Sequence, residues 1–554
     1  MIEQVMKRVA RAGFFARVLR STGAVSAVRP ARLARLARDA SQTPLGPHLA
    51  CMYHAAAHPD KEALVEYDPC GVRRMTWGEM DAACNRLAQA LVARGVRGGA
   101  RVAIMLPNGI EYLLAQQALA RLGATAVQIG YRLKAGEIAY ILANAEPVAT
   151  IAHAEYLPQL REARAAGTAS GGALIAVGGR LAEIGDAADW DRALAAAPPT
   201  VPAKQRGGDG GGIIVYTSGT TGKPKGANRS WKQTGFESVA DMLLQMQMRA
   251  DDRHLVVCPL YHSAAPAFVA IEFALGATCV LMNHFDPEAA LALIERERIT
   301  CTFMVPTMLV RITNLPRETI AKYDTSSLRW IMSGAAPLAT DTARRTMELF
   351  GPILWNFYGS TETGLVTLAG PGDHVTRPGT IGRAMRGNQI RLLDDAGHEV
   401  APGEIGELYA RNSTMISGYH NNAEATAGAQ REGFFSVGDL GRVDADGYYF
   451  LESRKHDMVI SGGVNIYPRE IEDHLHTHPG ILEAAVIGVP DPEWGETLRA
   501  YVVPRPGAEL TEADVVDYCR QHLADYKRPR KVVFLGELPR NQTGKVLKRE
   551  LREL

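Results

Sequence analysis

The 554-residue chain has few cysteines and no pair at CxxC spacing: Cys51, Cys70, Cys84, Cys258, Cys279, Cys301 and Cys519 are scattered. That speaks against a disulfide framework and against thiolate metal ligation. It favours reduced, partly buried thiols in a cytosol-like, cytoplasmic setting. Long hydrophobic runs are missing too, since no apolar stretch approaches the ~18–20 residues of a membrane span. Neither sign of charge is in excess. The formal net charge of +1 gives no reason to expect a nucleic-acid partner. What remains is an ordinary globular composition, 46% apolar and 22% charged, long enough for several structural units.

The charge is unevenly placed. From Met1 to Arg38 there are nine basic residues and one acidic residue, Glu3, a net of +8 that leaves about −7 for the remainder. Ile2, Val5, Met6, Val9, Phe15, Val18 and Leu19 recur there at three- and four-residue steps. A basic amphipathic helix of this kind can lie on an anionic membrane surface. Two other readings of residues 1–38 stand beside peripheral membrane contact: packing on the domain behind, and an Arg-rich, acid-poor transit peptide.

The densest chemistry lies in Thr217, Ser218, Gly219, Thr220, Thr221, Gly222, Lys223, Pro224, Lys225 and Gly226, after the apolar run Ile213–Tyr216. Glycines let successive N–H groups converge on an anion, hydroxyls add neutral donors, and the two lysines add positive charge. Such a loop suits a polyphosphate. It is not a Walker A motif, because Pro224 stands where that motif needs its second glycine.

Around it the chain alternates strand and helix. Thr76 and Glu79 predict a capping box, Asn108 a helix cap, and 110–122 and 136–144 helices between the strands 102–106, 124–129 and 148–151. Further strands at 255–258, 277–282, 301–305, 328–333 and 353–357 run into small or polar loops, where ligands of open α/β sheets sit. The fold class expected is α/β. A large N-terminal domain of mostly parallel sheets (45–455) carries a small β-rich subdomain at about 379–455. A basic tail (1–44) precedes it, and a small α+β C-terminal domain (456–554) follows.

Taken together, the loops resemble the adenylate-forming superfamily of acyl-CoA synthetases, luciferases and peptide-synthetase adenylation domains. The carriers are Thr217–Gly226, Tyr358-Gly359-Ser360-Thr361-Glu362, Ser436–Gly441, Met458–Pro468 and Asn541–Lys545, in the family's order. The resemblance implies a two-step ligase. A carboxylic acid attacks the α-phosphate of ATP, releasing pyrophosphate, and the thiol of coenzyme A then displaces AMP. It implies that Thr217 to Gly226 hold the β- and γ-phosphates, that Glu362 binds Mg²⁺, and that Thr361 lies beside the α-phosphate. Tyr358 would stack on adenine, with Gly334, Ala335 and Ala336 on the other side and Gly359 and Ser360 adjoining. Asp439 would take the ribose hydroxyls, joined by Arg454. Lys545 would bridge carboxylate and α-phosphate, then leave as a mobile C-terminal domain rotates and Gly463 arrives beside pantetheine. The hinge position is His456, where the family often has Lys or Asp.

The resemblance also places His262 at the border of the acyl pocket. No aspartate that could pair with an α-amino group lies between Tyr261 and Leu275, and no carrier-protein segment follows Lys545. A free-standing CoA ligase for an apolar acid is the expectation, with a medium- or long-chain fatty acid favoured over an aryl acid. A non-catalytic binding protein of the same fold is the rival of a different class.

Overall fold

The computed structural model describes residue 14 and residues 17–554, apart from 69–70, 168–170, 206–209, 218–223, 232–235, 463 and 542–543. Among the described residues the strands form three sheets.

In the first sheet, six strands run parallel in the order Gly212–Thr217, Thr125–Gln128, Arg101–Met105, Ala149–His153, Ala173–Val177 and Ala188–Asp189. Lys225–Ser230 and Gly418–Tyr419 add an antiparallel edge. The second sheet has its own parallel centre, Leu354–Ser360, Trp330–Ser333, Cys301–Met304, Arg253–Val256, Thr278–Met282 and Glu62–Asp68. Strands from the β-rich region continue its ladder through Gly364–Ala369, Thr380–Ala384, Tyr449–Arg454 and Phe434–Val443. That region also has a small core of its own, in which Ile381, Leu392 and Leu408 pack with Tyr358.

The parallel strands read as near-continuous buried runs, as expected where helices cover both faces. The helix Trp77–Ala93 begins with the anticipated capping box: Glu79 N–H donates to Thr76 Oγ1 (3.3 Å) and Thr76 N–H to Glu79 Oε2 (2.8 Å). Asn108 does not cap the helix Ile110–Leu122, whose N-cap is Gly109. Its buried amide instead ties the two large sheets together. Nδ2 donates to the carbonyls of Cys258 (3.1 Å) and Met282 (3.3 Å), and Oδ1 accepts from Leu260 N–H (2.9 Å).

The third sheet pairs Ile481–Asp491 with Gly495–Pro504, flanked by Lys531–Phe534 and by the hairpin Val459–Ser461 and Val464–Ile466. The helices Pro468–Leu475 and Glu512–His522 close one core, through Ile471, Leu475, Val515 and Cys519. The helix Lys548–Glu553 closes the other through Leu551.

The described part of the tail lies against the large domain. Val18 and Thr22 are buried, Thr22 O accepts from Ala250 N–H (2.8 Å), and Ser26 N–H donates to Tyr53 OH (2.7 Å). Leu19, Val25 and Leu33 are exposed, while Ile2, Val5, Met6, Val9 and Phe15 lie outside the described residues. No helix among the described residues is long and apolar enough to cross a membrane.

Candidate active site

The ends of the parallel strands converge on the turn at Thr361 and Glu362. Leu354–Ser360 enters it and Gly364–Ala369 leaves antiparallel, with a register shift between Tyr358 and Gly359. A side chain at Gly359 would meet Gly364 O at 1.9 Å, so only glycine permits this close return. Ser360 Oγ then accepts from the backbone N–H groups of Glu362 (3.1 Å) and Thr363 (3.0 Å), which fixes the turn locally.

Glu362 is buried, and two hydroxyls reach its Oε1: Thr217 Oγ1 (3.2 Å) and Tyr419 OH (3.1 Å). Lys225 Nζ lies 5.2 Å from the Tyr419 ring centroid, so the loop's second lysine and Glu362 meet on the same tyrosine. Arg229 donates to Thr361 O (2.8 Å); burial lowers its pKa and the Glu362 carboxylate opposes that. Thr361 Oγ1 and Ser263 Oγ are hydrogen-bonded at 3.0 Å. His262 precedes that serine, half-buried, its ring 4.2 Å from that of Tyr261.

A second cluster forms around Asp439. Tyr358 lies inside its strand rather than after it, and its buried hydroxyl donates to Asp439 Oδ2 (2.8 Å). Asp439 and Arg454 are partners across adjacent antiparallel strands, Arg454 Nε lying 3.2 Å from Asp439 Oδ1. Nearby strand ends give Gly334, Ala335 and Ala336. A Cβ at Gly334 would meet the Phe357 ring at 2.4 Å, and Ala335 holds φ +65°, a conformation that costs a non-glycine residue energy.

Lys545 comes from the C-terminal domain. Its N–H donates to Asn541 Oδ1 (2.9 Å), and the turn is pressed against the large domain: a Cβ at Gly544, φ +79°, would meet Thr307 Oγ1 at 2.8 Å. Burial lowers the Lys545 pKa to about 8. Arg454 and Lys548 act in the same direction, against Asp439 and Asp457. The structure thus brings Lys545 into the field of the Tyr358–Asp439–Arg454 cluster. Burial also lowers the pKa of His456, with Arg454, Lys545 and Arg552 adding to it and Asp457 opposing.

Ser218, Gly219, Thr220, Thr221, Gly222, Lys223 and Gly463, all expected at the site, lie outside the described residues. Sequence reasoning missed Arg229, Tyr419 and Ser263. Arg229 follows the loop by three residues and Tyr419 interrupts a polar stretch, but neither carries a spacing that marks it.

A family model described as AMP-binding enzyme matches residues 52–420, and one described as AMP-binding enzyme C-terminal domain matches residues 470–545. A feruloyl-CoA synthase from Amycolatopsis sp is 38% identical over 484 residues, 87% of this chain and 94% of its own. The long-chain-fatty-acid–CoA ligase FadD13 of Mycobacterium tuberculosis is 35% identical over 500 residues, 90% of this chain and 96% of its own. The crystal structure of ATP-bound MatB from Rhodopseudomonas palustris is similar with a TM-score of 0.81 at 32% identity, covering 92% of this chain and 99% of that one.

Proposed function

The chain belongs to the AMP-binding enzyme family and is an acid–thiol ligase, and from that premise we propose that it activates an apolar carboxylic acid, of medium or long chain, through an acyl-adenylate and passes the acyl group to coenzyme A. The observation that carries this reading is the position of Lys545 beside Asp439 and Arg454. A lysine in that place can neutralise two anions as they are brought together, which is the main electrostatic difficulty of the first step.

In this reading the acid's carboxylate oxygen attacks the α-phosphorus of ATP and the bond to the bridging oxygen of pyrophosphate breaks. Lys545, as the ammonium, lies between the attacking carboxylate and the α-phosphate oxygen. Thr361, held by Arg229 at its carbonyl and by Ser263 at its hydroxyl, presents its side chain to the same phosphate. Asp439, fixed by Tyr358 and Arg454, accepts from the ribose hydroxyls. Thr217 and Lys225 flank the leaving pyrophosphate together with Ser218 to Lys223. The buried Glu362 carboxylate beside two hydroxyls is a hard oxygen donor set that fits Mg²⁺, which would supply charge neutralisation at the phosphates. In the second step the coenzyme A thiol, losing its proton, attacks the acyl carbon, and AMP leaves. Lys545 is not required there. The C-terminal domain turns about His456 and presents Gly462 and Gly463 to the pantetheine arm.

Two features support an apolar acid. The helix Ala264–Leu275, next to His262, has one ionisable residue, Glu272, which is fully buried and engaged with His254 and Cys301. No aspartate is offered to an α-amino group there. An aryl acid is the second reading. The rings of Tyr131, Tyr156 and Tyr261 pack at 5.0 and 5.3 Å beside His262, and the relatives include a feruloyl-CoA synthase. Thioester formation with acetate, octanoate, palmitate, benzoate and coumarate separates the two. A kcat/KM for octanoate or palmitate at least tenfold above that for either aryl acid is expected; the reverse order replaces the alkyl reading with the aryl one.

A further inference from the structure

The reaction makes no use of Glu272, yet this carboxyl has no solvent exposure and belongs to the helix that leads away from Ser263. Beneath it the strands Arg253–Val256 and Cys301–Met304 run parallel, with His254 and Cys301 as partners in register. Side chains at paired register positions leave the sheet on one face. His254 is 2% exposed and Cys301 fully buried. Three elements therefore deliver an imidazole, a thiol and a carboxyl to one dry point, with the Trp330 ring 5.8 Å from that of His254.

The spacing is informative. His254 Nδ1 and Glu272 Oε1 are 3.5 Å apart, Cys301 Sγ and His254 Nδ1 3.6 Å, and Cys301 Sγ and Glu272 Oε1 3.8 Å. A direct N–H···O bond would close to about 2.7–3.2 Å. Around a tetrahedral zinc ion with bonds of about 2.0–2.3 Å, neighbouring ligand atoms stand about 3.3–3.6 Å apart. The observed triangle is close to one face of that tetrahedron, slightly expanded. Glu272 Oε2 is also buried with no hydrogen-bond partner, so the same carboxylate can add a second oxygen at a narrow bite. Cys301 Sγ also makes a weak contact to Arg253 O at 3.7 Å.

We propose that His254, Glu272 and Cys301 form a structural Zn²⁺ site, with Glu272 chelating through both oxygens. The charges balance: Zn²⁺ displaces one proton from the Cys301 thiol and one from the Glu272 carboxyl, and the resulting centre is neutral. Neutrality matters where burial makes any net charge costly. Both acids must give up their protons to hold the ion, so binding tightens as pH rises. All three ligand residues are buried, so the ion is shut away from substrate. Its role is to pin the helix Ala264–Leu275 to the sheet, and so to hold Ser263 against Thr361.

The test is zinc content measured by mass spectrometry. Untagged full-length protein is produced in zinc-supplemented medium and purified without chelator. About one zinc per chain is expected, falling below about a tenth in Cys301→Ala and in Glu272→Gln. Should those variants not fold, wild-type protein from cobalt-fed cells decides, through a near-ultraviolet thiolate-to-cobalt band. Wild-type protein with less than about a tenth of a zinc per chain and no cobalt–thiolate band would overturn the proposal. So would one zinc per chain that survives Cys301→Ala, which would place the ion elsewhere.

Discussion

The candidate site has two halves that are held in different ways. The half on the large domain is built into sheets: Asp439 and Arg454 face each other across paired strands, Tyr358 reaches them from a third, and Glu362 lies in a turn locked by Ser360. The half on the C-terminal domain is one lysine in a turn held by Asn541, resting on the large domain near Thr307. The contrast assigns work. In the proposed reading, groups fixed in the sheets would serve every step that handles the nucleotide, and the borrowed lysine would serve only the step for which the C-terminal domain is docked this way.

The largest effect should come from the borrowed half. Lys545→Ala is expected to lower acyl-adenylate formation about 10³-fold. Thioester formation from supplied acyl-adenylate and coenzyme A should stay within about threefold. Equal loss in both half-reactions would break the division. The fixed half can be probed through its foundation. Asn108→Ala leaves the carbonyls of Cys258 and Met282 and the N–H of Leu260 without their partner, and is expected to cost about 3 kcal/mol in denaturant unfolding. A loss under about 1 kcal/mol would mean the sheets do not depend on this tie.

Asp439→Ala should lower both half-reactions, each by about 30-fold, since AMP leaves through the same ribose contact. Loss confined to adenylation would merge the two halves. Next comes pH. The Lys545 pKa of about 8 means that its ammonium predominates below that pH and the neutral amine above it. kcat/KM for ATP should therefore fall about tenfold per unit above pH 8, while thioester formation from supplied adenylate should show no such limb. The smallest effect is expected at the hinge. His456 is neutral at pH 7 because burial and three nearby cations lower its pKa, so His456→Lys should change the thioester step less than about twofold at pH 7.5. Any acid limb that the substitution removes should lie below the usual histidine range.

Much of this was legible in the sequence because it rests on local pattern. The helix Ile110–Leu122 coincides with its periodic run, the strand Cys301–Met304 falls within the apolar stretch expected at 301–305, and the Thr76–Glu79 box announces itself by spacing. Other features depend on what the chain meets after folding. Asn108 reads as a cap because asparagine before a helix usually is one, and only the second sheet reveals its partners 150 and 174 residues away. Tyr358 reads as the start of a loop because Gly359 and Ser360 follow it, although the strand runs on to Ser360. Arg229 and Tyr419 act on Glu362 from distant segments. Scattered cysteines speak against thiolate ligation in the sequence, yet parallel register sets Cys301 beside His254, 47 residues apart in the chain, under a helix that carries Glu272. Spacing along a chain cannot report a cluster made by register between strands.

The account's central claim is an acyl-adenylate formed by the docked arrangement before coenzyme A takes part. Isotope exchange between pyrophosphate and ATP tests it most directly, with wild-type enzyme, an accepted acid and no coenzyme A. The expected result is exchange that requires the acid, proceeds without coenzyme A, and is abolished by Lys545→Ala. Exchange that appears only when coenzyme A is added would contradict it.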